Sequence, residues 1–559
     1  MSLKKRTYHF LFFILLLLLI SSCGTKKSLN DRPNIERYSL SESPRISIND
    51  SLFFKDENSL RKNKYGQWEL VASGNPLELG NSIGVLSTEL IVKQENLFFE
   101  KVNTMVPSKF KQQLLKKFLT WYARKMYLNV TEEYKAEIYG ISKYGADNSD
   151  LFGSNYLKAL FLHSAHDIGH AFQDLALVGC SSFAVWGENT PDGNLIIARN
   201  FDFYAGDDFS EDKLISFIQP EKGYKYMSVS WAGMIGVMSG MNEKGLTVTI
   251  NAGKSDIPMV AKTPISLVTR EIIQYASTIE EAIAISKKRE VFVSESILVG
   301  SAIDNKAVLI EMSPDNFGVF ELENTSILIC SNHFQSDAYK NDDNNNKAIA
   351  ESHSKYRFDR MNELLSEENK ITPEIAAAIL RNKEGLQNQK IGYGNEKALN
   401  QLLAHHGIVF QPKYKRVWVS SNPYQLGAFV AFQLDSVFAN TTKKTSTLSL
   451  SNLLIEKDPF INTEAFINYE KYRKEARKIE TIIKEKGSLS LVEIKEFIAL
   501  NPDFWQVYYL AGNYYYEKGY YEAALLQFEK ALTKEITTVP DKMDIETKIL
   551  KIKKKLNDF

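Results

Sequence analysis

Cys180 stands where this sequence gathers groups that can do chemistry. It follows Gly179 at the head of a short β-rich run, 181–186. A second run, 195–203, carries Ala198-Arg199-Asn200-Phe201-Asp202-Phe203. A thiol beside a guanidinium is drawn toward thiolate, its nucleophilic form. An aspartate close by can hold that arginine, or an amine, in place. No Gly-x-Ser-x-Gly elbow supports a serine hydrolase of that kind. No separate base stands out either. Cleavage of the Gly179–Cys180 bond would supply one, because a free α-amino group has a pKa of about 7.7–8.0 and could take the thiol proton.

The elements that must position these residues read as a hairpin. The 181–186 and 195–203 runs are joined by a turn containing Pro191-Asp192-Gly193-Asn194. With Trp186 opposite Leu195, an antiparallel ladder sets Cys180 opposite Phe201, with Arg199 and Asp202 near. Strict alternation cannot put Arg199 and Asp202 on one face, so a bulge or a strand end is required.

Other chemistry-bearing residues carry less. His163, His166, Asp167 and His170 lie at helical spacing, and histidines at i, i+4 can bind zinc. No distant Cys or Glu completes a ligand set, so a metal site is not expected, nor is any cofactor. His405-His406 is a weaker case of the same kind. Cys330 reads as an inert buried thiol in a strand. Three cysteines in 559 residues exclude a disulfide scaffold. Lys and Arg total 68, as do Asp and Glu, so the formal net charge is zero, which argues against a dedicated nucleic-acid binder. The hydrophobic share of 44% excludes global disorder.

The remaining cysteine, Cys23, belongs to the N-terminus. Lys4-Lys5-Arg6 is followed by an apolar run, 10–20, and by Ser21-Ser22-Cys23. The run is too short to span a bilayer, which takes about 20 apolar residues. It fits the apolar region of a secretory signal. Leu19-Ile20-Ser21-Ser22-Cys23 resembles a bacterial lipoprotein signal, in which the cysteine is lipidated and becomes the mature N-terminus. The expectation is a signal peptide over 1–22, attachment to the membrane through the lipid, and an outer-membrane position facing the periplasm.

Residues 23–65 are polar and read as a flexible tether. Residues 66–179 are mainly helical, with apolar spacing over 109–128 and a further helix over 155–176. From 180 to 440 short strands alternate with grouped helices: strands near 226–231, 235–241, 246–252, 295–303, 307–312, 317–322, 325–330, 416–420 and 427–433, helices near 266–274, 279–287, 355–365 and 372–381. The order predicts an α+β layered domain. Residues 441–460 read as a linker. Residues 461–559 are helical. Within them Tyr508, Gly512, Tyr515, Gly519, Tyr521, Ala524, Phe528 and Ala531 match one tetratricopeptide repeat. A single repeat cannot bury its own face, so packing on the main domain or on the preceding helices, about 463–484 and 490–498, is favoured over a groove for a protein partner.

Taken together, Gly179-Cys180, Arg199-Asn200-Phe201-Asp202, Met241-Asn242-Glu243-Lys244-Gly245-Leu246 with Asn251, Asn332-His333-Phe334 and Arg416-Val417-Trp418-Val419-Ser420 resemble the N-terminal-nucleophile hydrolases. The likeness extends to choloylglycine hydrolases and acid ceramidase, and is best to the acyl-coenzyme A:6-aminopenicillanic acid acyltransferase-like family. It covers roughly 90–440. It implies a four-layer αββα sandwich and self-cleavage before Cys180. It implies that Cys180 is nucleophile and amine base, that Asp202 binds the amine, and that Arg199 sits by the thiol. Asn251 and Asn332 would supply oxyanion donors or orient the nucleophile, and Arg416 would be a late-strand arginine of the site. The expected activity is cleavage or exchange of a linear amide in a small N-acyl substrate through a Cys180 thioester. The alternative is an inert lipoprotein scaffold that binds a protein through its repeat-like tail.

Overall fold

A computed structural model describes residues 23–147, 153–164, 167, 179–204, 206–254, 258, 260–439 and 447–557. The expected signal peptide, 1–22, lies outside them. Strands β1 (Ile46–Asn49), β2 (Leu52–Lys55), β3 (Asn58–Lys62), β4 (Trp68–Gly74), β7 (Leu214–Pro220), β8 (Tyr226–Ser230), β9 (Ser239–Asn242), β10 (Leu246–Ala252), β11 (Glu295–Ser301), β12 (Lys306–Met312) and β13 (Phe317–Phe320) form one sheet in that order. Its β4–β7 pairing is parallel. A second sheet runs β14 (Ile327–Cys330), β5 (Ser181–Val185), β6 (Ile196–Phe201), β15 (His406–Gln411), β16 (Arg416–Ser420), β17 (Phe429–Gln433) and β18 (Leu450–Ile455).

The layers follow from side-chain alternation along the strands. Ile197, Phe217, Val229, Leu309, Ile408 and Val430 share a core between the two sheets. The opposite face of the second sheet, with Ile196, Ala198, Val409 and Trp418, packs on helices Ser354–Ser366 and Pro373–Leu380. The outer face of the first sheet packs on helices Pro76–Leu86, Glu132–Ser142, Ile265–Tyr275 and Ile279–Lys287. The chain is therefore mixed α and β, with helices outside two stacked sheets.

Two expectations are corrected. Residues 23–65 are not a free tether: β1, β2 and β3 extend the first sheet beyond β4. In β2 and β3 polar residues are buried in pairs, Lys55 with Glu78 at 2.6 Å and Asn58 Nδ2 with Ser82 Oγ at 3.0 Å. Polar composition reads as solvent-facing only while the partners are unknown. The stretch 441–460 is not wholly linker, since β18 pairs with β17. Strands β7 and β15 were not foreseen at all.

The C-terminal helices Glu464–Lys484, Leu491–Leu500, Trp505–Glu517, Tyr521–Leu532 and Val539–Asn557 share a core that also takes in Leu402 and Leu426 from the sheet domain. Gly512 is needed where two of them meet, because a Cβ there would lie 2.8 Å from the Phe528 ring. The repeat-like helices pack both on the preceding helices and on the main body.

Candidate active site

β5 and β6 pair with Ser181 opposite Asn200 and Ser182 opposite Arg199, the same register as Trp186 opposite Leu195. Cys180, just before β5, thus falls on the face of Ser182, Ile197 and Arg199, turned toward the first sheet. β6 ends at Phe201. Asp202 lies beyond the ladder, so a strand end, not a bulge, brings it to the same place.

Arg199 is fully buried and crosses between sheets. Its Nη2 donates to Cys180 Sγ at 3.5 Å and to the Ile250 carbonyl. Its Nη1 donates to the Met238 carbonyl at 3.1 Å and to Ser239 Oγ at 2.7 Å. The guanidinium lies 4.3 Å from the centre of the Phe201 ring. Burial pushes the Cys180 thiol up, while Arg199 and the Asp202 backbone N–H pull it back.

Asp202 is also fully buried, and neither carboxylate oxygen accepts a hydrogen bond from the described residues. Burial raises it to about 8, against the pull of Arg357 and Arg199. Its main-chain carbonyl accepts the Gly179 N–H at 3.3 Å. The Gly179 carbonyl accepts from Gln401 Nε2 at 2.8 Å.

Of the expected asparagines, Asn251 ties strands together. Its Oδ1 accepts from Ser182 Oγ at 2.8 Å, and its Nδ2 donates to the Cys330 and Ser331 carbonyls at 3.1 and 3.2 Å. Asn332 Nδ2 donates to the Ala252 carbonyl at 2.8 Å, which engages one of its two hydrogens. In the 241–246 stretch, Asn242 Oδ1 accepts the Lys244 and Leu246 N–H groups and its Nδ2 reaches the Ile273 and Ala276 carbonyls. That motif shapes the β9–β10 turn.

Arg416 is not brought to this cluster. It opens β16 opposite Gln411, while Arg199 lies opposite Ile408, so Arg416 sits toward the far end of the sheet. Its Nε donates to Gln433 Oε1 at 3.3 Å. The second arginine of the cluster is Arg357, which sequence reasoning missed. Its Nη1 donates to the Cys180 carbonyl at 2.6 Å and to Ser181 Oγ at 2.9 Å, and its Nη2 donates to Asn332 Oδ1 at 2.6 Å. Glu295 was missed too. It opens β11 opposite Ala252, is fully buried, and its carboxyl oxygens accept no hydrogen bond from the described residues. Burial holds it well above the ordinary range. No local spacing marks either residue.

His405 and His406 also enter the neighbourhood. Ser239 Oγ lies 3.0 Å from His406 Nε2, and the two Nδ1 atoms are 2.9 Å apart. Burial keeps both rings neutral, His405 at about 3. His163 is occupied by backbone: Nδ1 lies 2.7 Å from the Ala159 carbonyl and Nε2 accepts the Ile235 N–H at 3.0 Å. Asp167 accepts the Ile265 N–H at 2.8 Å. His166 and His170 lie outside the described residues. Cys330 points into the inter-sheet core, its thiol held well up by burial. Beyond Asp202, Phe203, Phe209 and Trp231 line a cavity of about 50 Å³.

Residues 188–423 match the model of a family described as acyl-coenzyme A:6-aminopenicillanic acid acyl-transferase. The matched segment is less than half of the chain; it holds Arg199, Asp202, Asn251, Asn332 and Arg357 and begins after Cys180. An uncharacterized protein of Archaeoglobus fulgidus is 25% identical over 269 residues, 45% of each chain. Protein dcd1B of Dictyostelium discoideum is 26% identical over 157 residues, 28% of this chain and 31% of its own. The chain thus spans less than half the length of the curated relatives it matches. Among solved structures, a Caenorhabditis elegans ortholog of N-acylethanolamine-hydrolyzing acid amidase is 17% identical with a TM-score of 0.31, over 42% of this chain and 93% of its own. A variant of conjugated bile acid hydrolase from Clostridium perfringens is 16% identical with a TM-score of 0.32, over 49% of this chain and 99% of its own.

Proposed function

We propose that this chain is a self-activated cysteine hydrolase or acyltransferase of the N-terminal-nucleophile kind, acting on a linear amide of an N-acyl substrate. The observation that carries the reading is the Arg199 Nη2 contact with Cys180 Sγ at 3.5 Å, beside the buried Asp202 carboxylate, which accepts no hydrogen bond from the described residues. In the uncut chain burial keeps the thiol protonated. Once Cys180 is N-terminal, its amine takes the thiol proton, and Asp202 offers the resulting ammonium an anion. Sγ then attacks the substrate carbonyl. The free Nδ2 hydrogen of Asn332 is suited to the developing oxyanion, a contact worth about 2.7–4 kcal/mol. Collapse expels the amine with the ammonium proton and leaves a thioester on Cys180. Water releases the acid; an incoming amine forms a new amide.

The family match over 188–423 supports amide chemistry. The observed packing of the C-terminal helices favours a supporting role for them over a separate partner groove. A lipid on Cys23, argued from residues 19–23, and an outer-membrane position facing the periplasm, argued from Gly24-Thr25-Lys26-Lys27 with no Asp after the cysteine, complete the proposal, and Cys23→Ser should release the protein from membranes. The main test is intact mass after incubation with a panel of N-acyl amides. An acyl adduct on Cys180 is expected, and turnover with no such adduct and no dependence on Cys180 would overturn the mechanism.

A further inference from the structure

The bond that self-activation must break is Gly179–Cys180, and its carbonyl is already held. Gln401 Nε2 donates to the Gly179 oxygen at 2.8 Å. The approach leaves no room for a side chain, because a Cβ on Gly179 would lie 2.4 Å from that same Nε2. Gln401 is only 2% exposed, so bulk water does not compete for its amide. The nucleophile side is set as well: Arg199 lies against Sγ, and Arg357 holds the Cys180 carbonyl.

The segment carrying Gln401 is pinned from two directions. From β6, Asn200 Nδ2 donates to the Leu380 and Leu399 carbonyls at 2.8 and 2.9 Å. From the C-terminal helices, the Tyr469 hydroxyl donates to the Leu402 carbonyl at 3.2 Å. Asn395 Nδ2 donates to the Glu535 carbonyl at 2.8 Å, and Thr537 Oγ1 donates to Asn395 Oδ1 at 3.2 Å. A donor that is buried, fixed and already at the carbonyl costs no reorganisation when charge develops there.

We propose that Gln401 is a catalytic residue of self-cleavage, donating to the Gly179 oxygen as it becomes an oxyanion. The inference rests on the self-activation reading. Cys180 Sγ bonds to the Gly179 carbonyl carbon, and the negative charge on oxygen falls on the Gln401 N–H. The C–N bond then breaks, and the thiol proton ends on the departing Cys180 nitrogen. The thioester is hydrolysed by water, whose hydroxyl goes to the Gly179 carbon and whose proton returns to sulfur.

The test follows the conversion of freshly purified full chain into two fragments by intact mass, with Cys180→Ala as the uncut control. Gln401→Ala should cut about 10²–10³-fold more slowly than wild type. Gln401→Glu keeps the size but, ionised, has no hydrogen to donate. It should be slow at alkaline pH, where the carboxyl is ionised, and gain on wild type as the pH falls and the carboxyl, its pKa raised by burial, takes up a proton and can donate, a pattern that a purely structural role would not give. Should Gln401→Ala fail to fold, the pH series on Gln401→Glu decides. Wild-type rates in both variants would overturn the inference and leave self-activation standing. A wild-type chain that stays in one piece would overturn self-activation, and this inference with it.

Discussion

Arg199 and Cys180 are joined by a contact that crosses no sheet boundary, yet the same guanidinium fastens the two sheets together. Nη2 reaches Sγ at 3.5 Å, and Nη1 reaches the Met238 carbonyl and Ser239 Oγ on the facing sheet. One side chain therefore serves both the nucleophile and the inter-sheet packing.

Because of that double role, Arg199→Lys should lose activity and stability together. An ammonium cannot serve the four acceptors of the planar fork. Each buried acceptor left unmade costs about 1–3 kcal/mol. We expect a lower melting temperature and turnover reduced at least 100-fold, measured on the same preparation. Asp202→Asn should separate the two effects. In the uncut chain its carboxylate accepts no hydrogen bond from the described residues, so Cys180→Ala/Asp202→Asn should melt no lower than Cys180→Ala, while turnover of Asp202→Asn falls below wild type.

Asp202 also predicts a pH dependence of stability in the uncut chain. Its folded-state pKa of about 8 lies above the ordinary carboxylate value. The folded state therefore holds the proton longer than the unfolded state, and stability falls as pH rises from about 4 to 8. Melting temperatures of Cys180→Ala across that range should show a slope that becomes shallower in Cys180→Ala/Asp202→Asn. Identical slopes would remove Asp202 as a contributor.

Arg357 and Arg416 give opposite expectations. Arg357→Ala frees the Cys180 carbonyl, Ser181 Oγ and Asn332 Oδ1 at once, and should slow both self-cleavage and turnover by 100-fold or more. Arg416→Ala removes its contacts with Gln433 and the Tyr414 ring, both away from the cluster, and turnover should stay within about twofold of wild type. Steady-state kinetics on the two variants distinguish them.

Tyr469→Phe deletes one hydroxyl that holds the Leu402 carbonyl. A single neutral hydrogen bond contributes about 0.5–1.5 kcal/mol, so self-cleavage should slow several-fold without loss of the fold. An unchanged rate would show that the C-terminal helices do not set the geometry at Gly179.

The β5–β6 hairpin was readable from residue order because its strands are near in sequence: once one pair is placed, alternation places Cys180, Arg199 and the rest. Helices with a strong apolar period, such as Ile279–Lys287 and Glu464–Lys484, were readable for the same local reason. The polar 46–62 stretch was not, because burial of Lys55 and Asn58 depends on partners in another element. Nor were Arg357, Glu295 and Gln401, which stand far along the chain from Cys180 and carry no spacing that points to it. Only the stacking of two sheets, with a helix over one and a pinned loop at their edge, brings those groups together. Long-range packing decided it: a buried cation or carboxyl is stable only where the whole fold closes around it, and no local window of sequence contains that closure.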